Sequence, residues 1–289
     1  MVARRAAAAA AVRRCLVGDC APESARLMSS SSSGVSGNGA AVVVFGGTGA
    51  LGSAIVHRFA DRKMGASAGK VISVDFMPNP EADANVVIKG NKSWEKESES
   101  LIKAVKKEIK HSSGGRVGAV IHAAGGFLGG NLEDGYGNVG MMVEMNFQSA
   151  FGAAQLAAEC LDDDGMVVLT GAAGVAGDST VSFAIGYGMT KAATHKLAET
   201  MAYEPDASGL PAGTRTLCML PGTLDTYANQ RAMPDADQST WTHPLMVADS
   251  LLCWHAQLRG GSLPPKIEER LPEKFMYVND DDLFVKFDL

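Results

Sequence analysis

The stretch "VVVFGGTGALGSAIV", residues 42–56, constrains the fold of this chain more than any other. A run of β-branched residues ends in Gly46, Gly47, Gly49 and Gly52, and a helix-forming segment follows. β-Branched side chains pack well on a pleated strand. Glycines let the chain turn tightly and bring backbone N–H groups close to an anion at a helix N-terminus. A strand, a glycine turn and a helix in that order predict a dinucleotide-phosphate site. The candidate cofactor-binding residues here are Gly46, Gly47, Thr48, Gly49, Ala50, Leu51 and Gly52. A turn without a ligand could also need these glycines, but the flanking elements favour the phosphate.

The same alternation continues along the chain. Short apolar runs in "KVISVDF", "NVVIKG", "RVGAVIHAAGG", "GMVVLTG" and "TRTLCMLPG" read as five further strands. Helical patterns lie between them, including the amphipathic "SWEKESESLIKAVKKEIKH" and a long small-residue segment over 138–161. Strands that are apolar on both faces and alternate with helices predict an α/β fold. The form expected is a Rossmann-type doubly wound parallel sheet, in a single domain over residues 40–289. Near the C-terminus "GGSLPPKIEER" and "EKFMYVNDDDLFVKFDL" offer a seventh strand that Pro264 and Pro265 would interrupt, and "NDDD" reads as a solvated turn.

Residues 1–39 stand apart. They carry five arginines against Asp19 and Glu23 and are rich in alanine and serine. That composition fits an organelle transit peptide and a disordered extension equally well. The cytoplasm is the expected location, or an organelle if the segment targets one. The chain has 289 residues, 46% of them hydrophobic, enough for one sizeable core. Its net charge of −6 gives no footprint for nucleic acid. No apolar run is long enough to span a bilayer. The five cysteines form no C-x-x-C pair, so free thiols are expected, and the six scattered histidines predict no metal site.

Asp75 closes the second strand, 23 residues after Gly52. An acid near that offset binds the adenosine ribose in dinucleotide folds. A carboxylate there accepts from both ribose hydroxyls and repels a 2′-phosphate. No arginine adjoins it, so NADH is the expected cofactor and NADPH the second choice. The small residues of "HAAGG", including Ala124, Gly125 and Gly126, let a cofactor approach the sheet edge, while His122 reads as a buried, hydrogen-bonded histidine.

"YGMTKAATHK" places Tyr187 and Lys191 one helical turn apart. A free phenol titrates near 10, and a nearby ammonium lowers that value. Lys191 is expected to bind the nicotinamide ribose and tune Tyr187, which serves the proton inventory of a hydride transfer. Taken alone, this spacing is common in ordinary helices. Its place after a fifth strand, downstream of a dinucleotide turn, gives it meaning.

With these motifs the chain resembles the short-chain dehydrogenase/reductase family over about residues 40–260. The resemblance rests on "GGTGALG", Asp75, "HAAGG", Asn146 in "MNFQS", "YGMTK" and "PGTLDT". It implies that Asn146 supports the lysine, and that Pro221 and Thr226 lie near the nicotinamide carboxamide. Family members usually carry a serine at the end of the fifth strand. Here that place reads "LTGAAG", with Ala172 and Ala173. Within the family the chain is similar to the branch that reduces quinonoid dihydropteridines and also lacks the serine. "AGGFLGGN", "IGYGMTKAATHKL" and "MPDADQSTWTHP" carry that likeness. It implies NADH-dependent reduction of a small-molecule pterin, with Phe127 and Trp241 against the substrate and a homodimer as the assembly. Phe127 stands where that branch usually has tryptophan, and Trp241 reads equally as a packed aromatic. The alternatives are a carbonyl-reducing member of the family, with Thr170 or a water in place of the serine, and a catalytically silent NAD sensor.

Overall fold

The structure is a computed structural model; it describes residues 39–61, 69–90, 93–110, 113–177, 179–259, 275–277 and 284–287. The strands are β1 (Ala41–Phe45), β2 (Val71–Asp75), β3 (Ala84–Val87), β4 (Val117–His122), β5 (Leu161–Thr170), β6 (Arg215–Pro221), β7 (Phe275–Tyr277) and β8 (Phe284–Phe287). They form one eight-stranded sheet in the order β3-β2-β1-β4-β5-β6-β8-β7. Every neighbouring pair is parallel except β7 with β8. The expected parallel sheet is therefore present. Its C-terminal addition is two short strands beyond the prolines; Pro264, Pro265 and the "NDDD" turn lie outside the described residues.

Alternation along β1 shows how one strand supplies two cores. Ala41, Val43 and Phe45 enter one buried cluster, and Val42 and Val44 enter the other. Helices α1 (Ala50–Ala60) and α7 (Pro244–Leu258) cover one face through Ile55, Phe59, Leu251 and Leu252. On the opposite face lie α2 (Trp94–Ile109), α4 (Ser149–Cys160) and α5 (Ile185–Tyr203), through Leu101, Val105, Leu156 and Ala198. Two helical layers around a buried sheet explain why the strands read as apolar throughout.

Three details depart from the sequence pattern. Strand β5 begins four residues earlier than "GMVVLTG" predicts. Its register jumps from Leu161 opposite Val117 to Met166 opposite Ala119, so residues 162–165 bulge out and carry their charges to solvent. A short helix, α6 (Tyr227–Ala232), follows β6 and has no period long enough to read. The long small-residue segment is α3 (Gly137–Met142), a π-helical turn (Val143–Gln148) and α4 in succession. Its small residues Ala150, Gly152 and Ala153 are buried within this chain. A Cβ on Gly152 would lie 2.9 Å from the Trp94 ring, so the small face admits α2. These three residues pack inside the chain, while Phe151, Ala154 and Ala158 on the same helix stay exposed or half-buried. No helix among the described residues is long and apolar enough to cross a membrane.

Candidate active site

The carboxyl ends of β1, β4, β5 and β6 converge where the sequence placed its candidates. Gly46 holds φ 78°, a conformation that favours glycine. A Cβ there would lie 2.5 Å from Ala124 Cα, so the first turn rests directly on the loop after β4. A Cβ on Gly52 would lie 1.9 Å from Gly46 O, so α1 can start this near the turn only with glycine. Helix α1 has no side-chain cap. Its first N–H groups stay open to an anion with the helix dipole behind them. These features fit a pyrophosphate.

A cavity of about 660 Å³ opens beside Gly46, Thr48 and Gly49 and runs past Asp75 and Gly125 to Trp94. Its charged lining groups are Asp75, Glu97 and Glu144, with no lysine or arginine among the described residues. Asp75 is already engaged. One oxygen accepts from Thr48 N–H at 2.8 Å and the Thr48 hydroxyl at 2.7 Å, and the other from Phe76 N–H at 2.6 Å. Thr48 thus fixes the carboxylate at the cavity wall, a link that 27 residues of separation hid from the sequence.

Lys191 is buried, and its Nζ donates to Thr170 O at 2.9 Å. That ammonium lies 5.9 Å from the centroid of the Tyr187 ring. Burial pulls Lys191 down to about 8. Tyr187 is pushed up to about 12, also by burial. The sequence predicts the opposite direction for the phenol. The reason for the difference is geometric: the ammonium is aimed at Thr170 O, and desolvation of the phenolate dominates. Tyr187 is therefore a protonated phenol at neutral pH and can donate.

Asn146 sits in the π-helical turn and is fully buried. Such turns recur at functional sites. Its Oδ1 accepts from Gly126 N–H at 3.0 Å, and its Nδ2 donates to Gly126 O at 3.1 Å and to Thr190 Oγ1 at 3.3 Å. The Thr190 hydroxyl in turn donates to Tyr187 O at 2.9 Å. Thr190, inside the "YGMTK" motif but not among the expected site residues, links the asparagine to the tyrosine's backbone. Gly125, at φ 143°, completes the convergence. A Cβ there would lie 2.6 Å from Asn146 Oδ1 and 3.4 Å from Lys191 Nζ.

Phe127 is exposed, and its ring meets Tyr187 edge-on with centroids 4.9 Å apart. Pro221 ends β6, and Thr226 caps α6 by accepting from Asn229 N–H at 3.2 Å. Its hydroxyl hydrogen stays available to a ligand. Trp241 is only 6% exposed, beside the bridge between Leu224 and Thr242. It matches the packed aromatic of the two readings the sequence allowed.

A short chain dehydrogenase family model matches residues 40–237. The chain is 39% identical over 215 residues to a dihydropteridine reductase of Dictyostelium discoideum, spanning 74% of this chain and 86% of that protein. The chain belongs to the short-chain dehydrogenase family. Solved structures agree in fold. The ligand-free aldohexose dehydrogenase of Thermoplasma acidophilum matches with a TM-score of 0.60 at 18% identity, over 74% of this chain and 86% of that one. BdcA, solved in complex with NADPH, matches with a TM-score of 0.58 at 20% identity, over 81% and 91%.

The place of the usual short-chain dehydrogenase serine is filled differently here. After β5 come Gly171, Ala172 and Ala173. The Thr170 hydroxyl is not a substitute, because it donates to His122 O within the sheet. His195, one turn after Lys191, accepts from Ala172 N–H at 3.1 Å and so braces this loop from below. A Cβ on Gly171 would lie 2.3 Å from His195 Nε2, which explains the glycine. His122 is fully buried against Ser149 Oγ at 2.8 Å, as the sequence predicts.

Burial, with Lys191 adding to it, holds His122 at about 3 and His195 at about 4. Both folded values lie below the unfolded value near 6.5. The unfolded chain therefore binds more protons as pH falls, so stability is full above 6.5 and is lost toward pH 4. For His195 the loss is on the order of 2 kcal/mol. Urea unfolding of wild type and His195→Gln across pH 7 to 4.5 checks this. The wild-type midpoint should fall more steeply; parallel profiles would show that His195 is not held neutral.

Proposed function

We propose that this protein reduces quinonoid dihydropterin to the tetrahydro form with NADH. The observation that carries this reading is the end of β5. Glycine and alanine stand where carbonyl chemistry needs a hydroxyl, while Tyr187 and Lys191 are retained. A quinonoid dihydropterin is an electron-poor conjugated ring. It can spread incoming charge over itself, so a donor at that place matters less. Loss of such a donor from a carbonyl reductase costs about 100-fold or more in rate, which disfavours a carbonyl substrate. The likeness to a dihydropteridine reductase supports the same substrate class. A silent sensor is disfavoured because a buried ammonium costs stability and needs a purpose.

The residues that would hold the dinucleotide are the turn at 46–52 for the pyrophosphate, Asp75 for the adenosine ribose and Lys191 for the nicotinamide ribose. Ala124, Gly125 and Gly126 would line its path, and Pro221 and Thr226 would lie at the carboxamide. When bound, NADH supplies the hydride. Tyr187 holds the proton that completes the reduction, so one hydride and one proton convert substrate to product. Lys191, near 8, is largely cationic at neutral pH, with its Nζ held on Thr170 O. Asn146 holds the Gly126 loop against the helix that carries both. The acid-lined cavity favours NADH over NADPH, because a 2′-phosphate needs a cation to receive it.

Purified protein with NADH and quinonoid dihydropterin, generated by a peroxidase, should consume NADH absorbance. The double variant Tyr187→Phe, Lys191→Met should lower kcat by about 100-fold or more, since it removes the proton donor and its support. Turnover of simple ketones without turnover of the pterin would overturn the substrate assignment, and an unaffected double variant would overturn the site. Cofactor choice is tested separately. Asp75→Ala should shift the ratio of NADPH to NADH efficiency upward by about tenfold, or ~1.4 kcal/mol. A ratio that does not move would place Asp75 off the ribose.

A further inference from the structure

Two loops meet beside Tyr187 and are joined through their backbones. Gly130 and Ala184 form an isolated parallel bridge. Gly130 N–H donates to Phe183 O at 2.8 Å, and Ile185 N–H donates to Gly130 O at 3.0 Å. Asn138 Nδ2 donates to Gly129 O at 2.8 Å, tying the first loop to α3. The second loop runs straight into α5, which carries Tyr187. Neither loop can shift without breaking these bonds.

This arrangement fixes a row of three aromatic rings. Phe183 lies 6.2 Å from Phe127 with planes inclined at 51°. Phe127 lies 4.9 Å from Tyr187 at 66°. Phe183 is 67% exposed and Phe127 is 54% exposed. Rings this open contribute little to the core, yet they are held from both sides by main-chain bonds. The row contains no charged side chain. A flat, uncharged heterocycle is the ligand such a surface suits, and a preformed aromatic surface loses little entropy on binding it.

We propose that Phe183 is a substrate-positioning residue. Its ring, together with Phe127, flanks the bicyclic ring of the substrate and turns the reacting edge toward the Tyr187 hydroxyl. This inference rests on the pterin reading of the site and adds a residue that no motif selected. Phe183 touches neither the glycine turn nor Asp75 among the contacts described, so its effect should fall on the pterin and not on the dinucleotide.

The test uses the full chain and the variants Phe183→Ala and Phe183→Tyr. With NADH and peroxidase-generated quinonoid dihydropterin, Phe183→Ala should raise the KM for pterin about three- to tenfold, the worth of one aromatic contact. The KM for NADH should not move, and Phe183→Tyr should restore the pterin KM. A second measurement does not depend on turnover: quenching of fluorescent, fully oxidised biopterin by the protein in the presence of NADH. Phe183→Ala should weaken that binding by a similar factor. Wild-type turnover with an unmoved pterin KM in Phe183→Ala would overturn the role of Phe183 alone. Equal increases in both KM values would overturn it too, since that is the mark of a general structural defect. Absence of both turnover and biopterin binding in the wild type would overturn the pterin reading itself, and the assignment of Phe183 with it.

Discussion

A buried ammonium organises this site. Lys191 Nζ lies inside the fold with the carbonyl of Thr170 as its acceptor. That bond, with the one from Ala172 N–H to His195 Nε2, fastens α5 to the carboxyl end of β5. It thereby sets where Tyr187 stands, one turn earlier on the same helix. A cation placed there also discourages other charges nearby, and it helps keep His122 and His195 neutral. Both histidines then act as neutral hydrogen-bonding groups, His195 under the loop after β5 and His122 against Ser149. The desolvation that lowers Lys191 also raises Tyr187. Proton donor and cation therefore differ in character within one helical turn, and this difference is what reduction chemistry at neutral pH requires.

Much of the fold was legible because its signals are local. The β-branched run of β1 and the glycines after it state a buried strand and a close backbone approach within a dozen residues. The apolar strands between helices imply a covered parallel sheet in the same way. Strand β5 was legible only from Gly165 onward, because its first part bulges and carries three aspartates. The last two strands are three and four residues long and leave no period to detect. The small-residue helix illustrates a different limit. Burial of alanine and glycine against α2 looks the same in sequence as burial against a second chain.

The candidate site was legible as a set of residue types, and much less as a set of interactions. Tyr187, Lys191, Asn146 and the glycine turn come together as the motifs imply. What joins them does not appear in any motif: the π-helical turn at Asn146, the relay through Thr190, and the grip of Thr48 on Asp75. The direction of the Tyr187 shift was also hidden, because it depends on where an ammonium points and not on how many residues away it stands. The alanines after β5 carried the opposite lesson. A residue type missing from its usual place was visible in sequence, and the structure adds that Thr170 does not fill the gap.

These features support the proposal that Tyr187 delivers a proton to a pterin ring that rests on Phe127 and receives no hydroxyl from the end of β5. A crystal structure of the protein with NADH and fully oxidised biopterin tests it most directly. The pterin ring should lie against Phe127, with the Tyr187 hydroxyl within about 3 Å of a ring heteroatom and only Gly171, Ala172 and Ala173 beyond it. A pterin bound away from Tyr187, or one held by a serine or threonine hydroxyl at the β5 end, would contradict it.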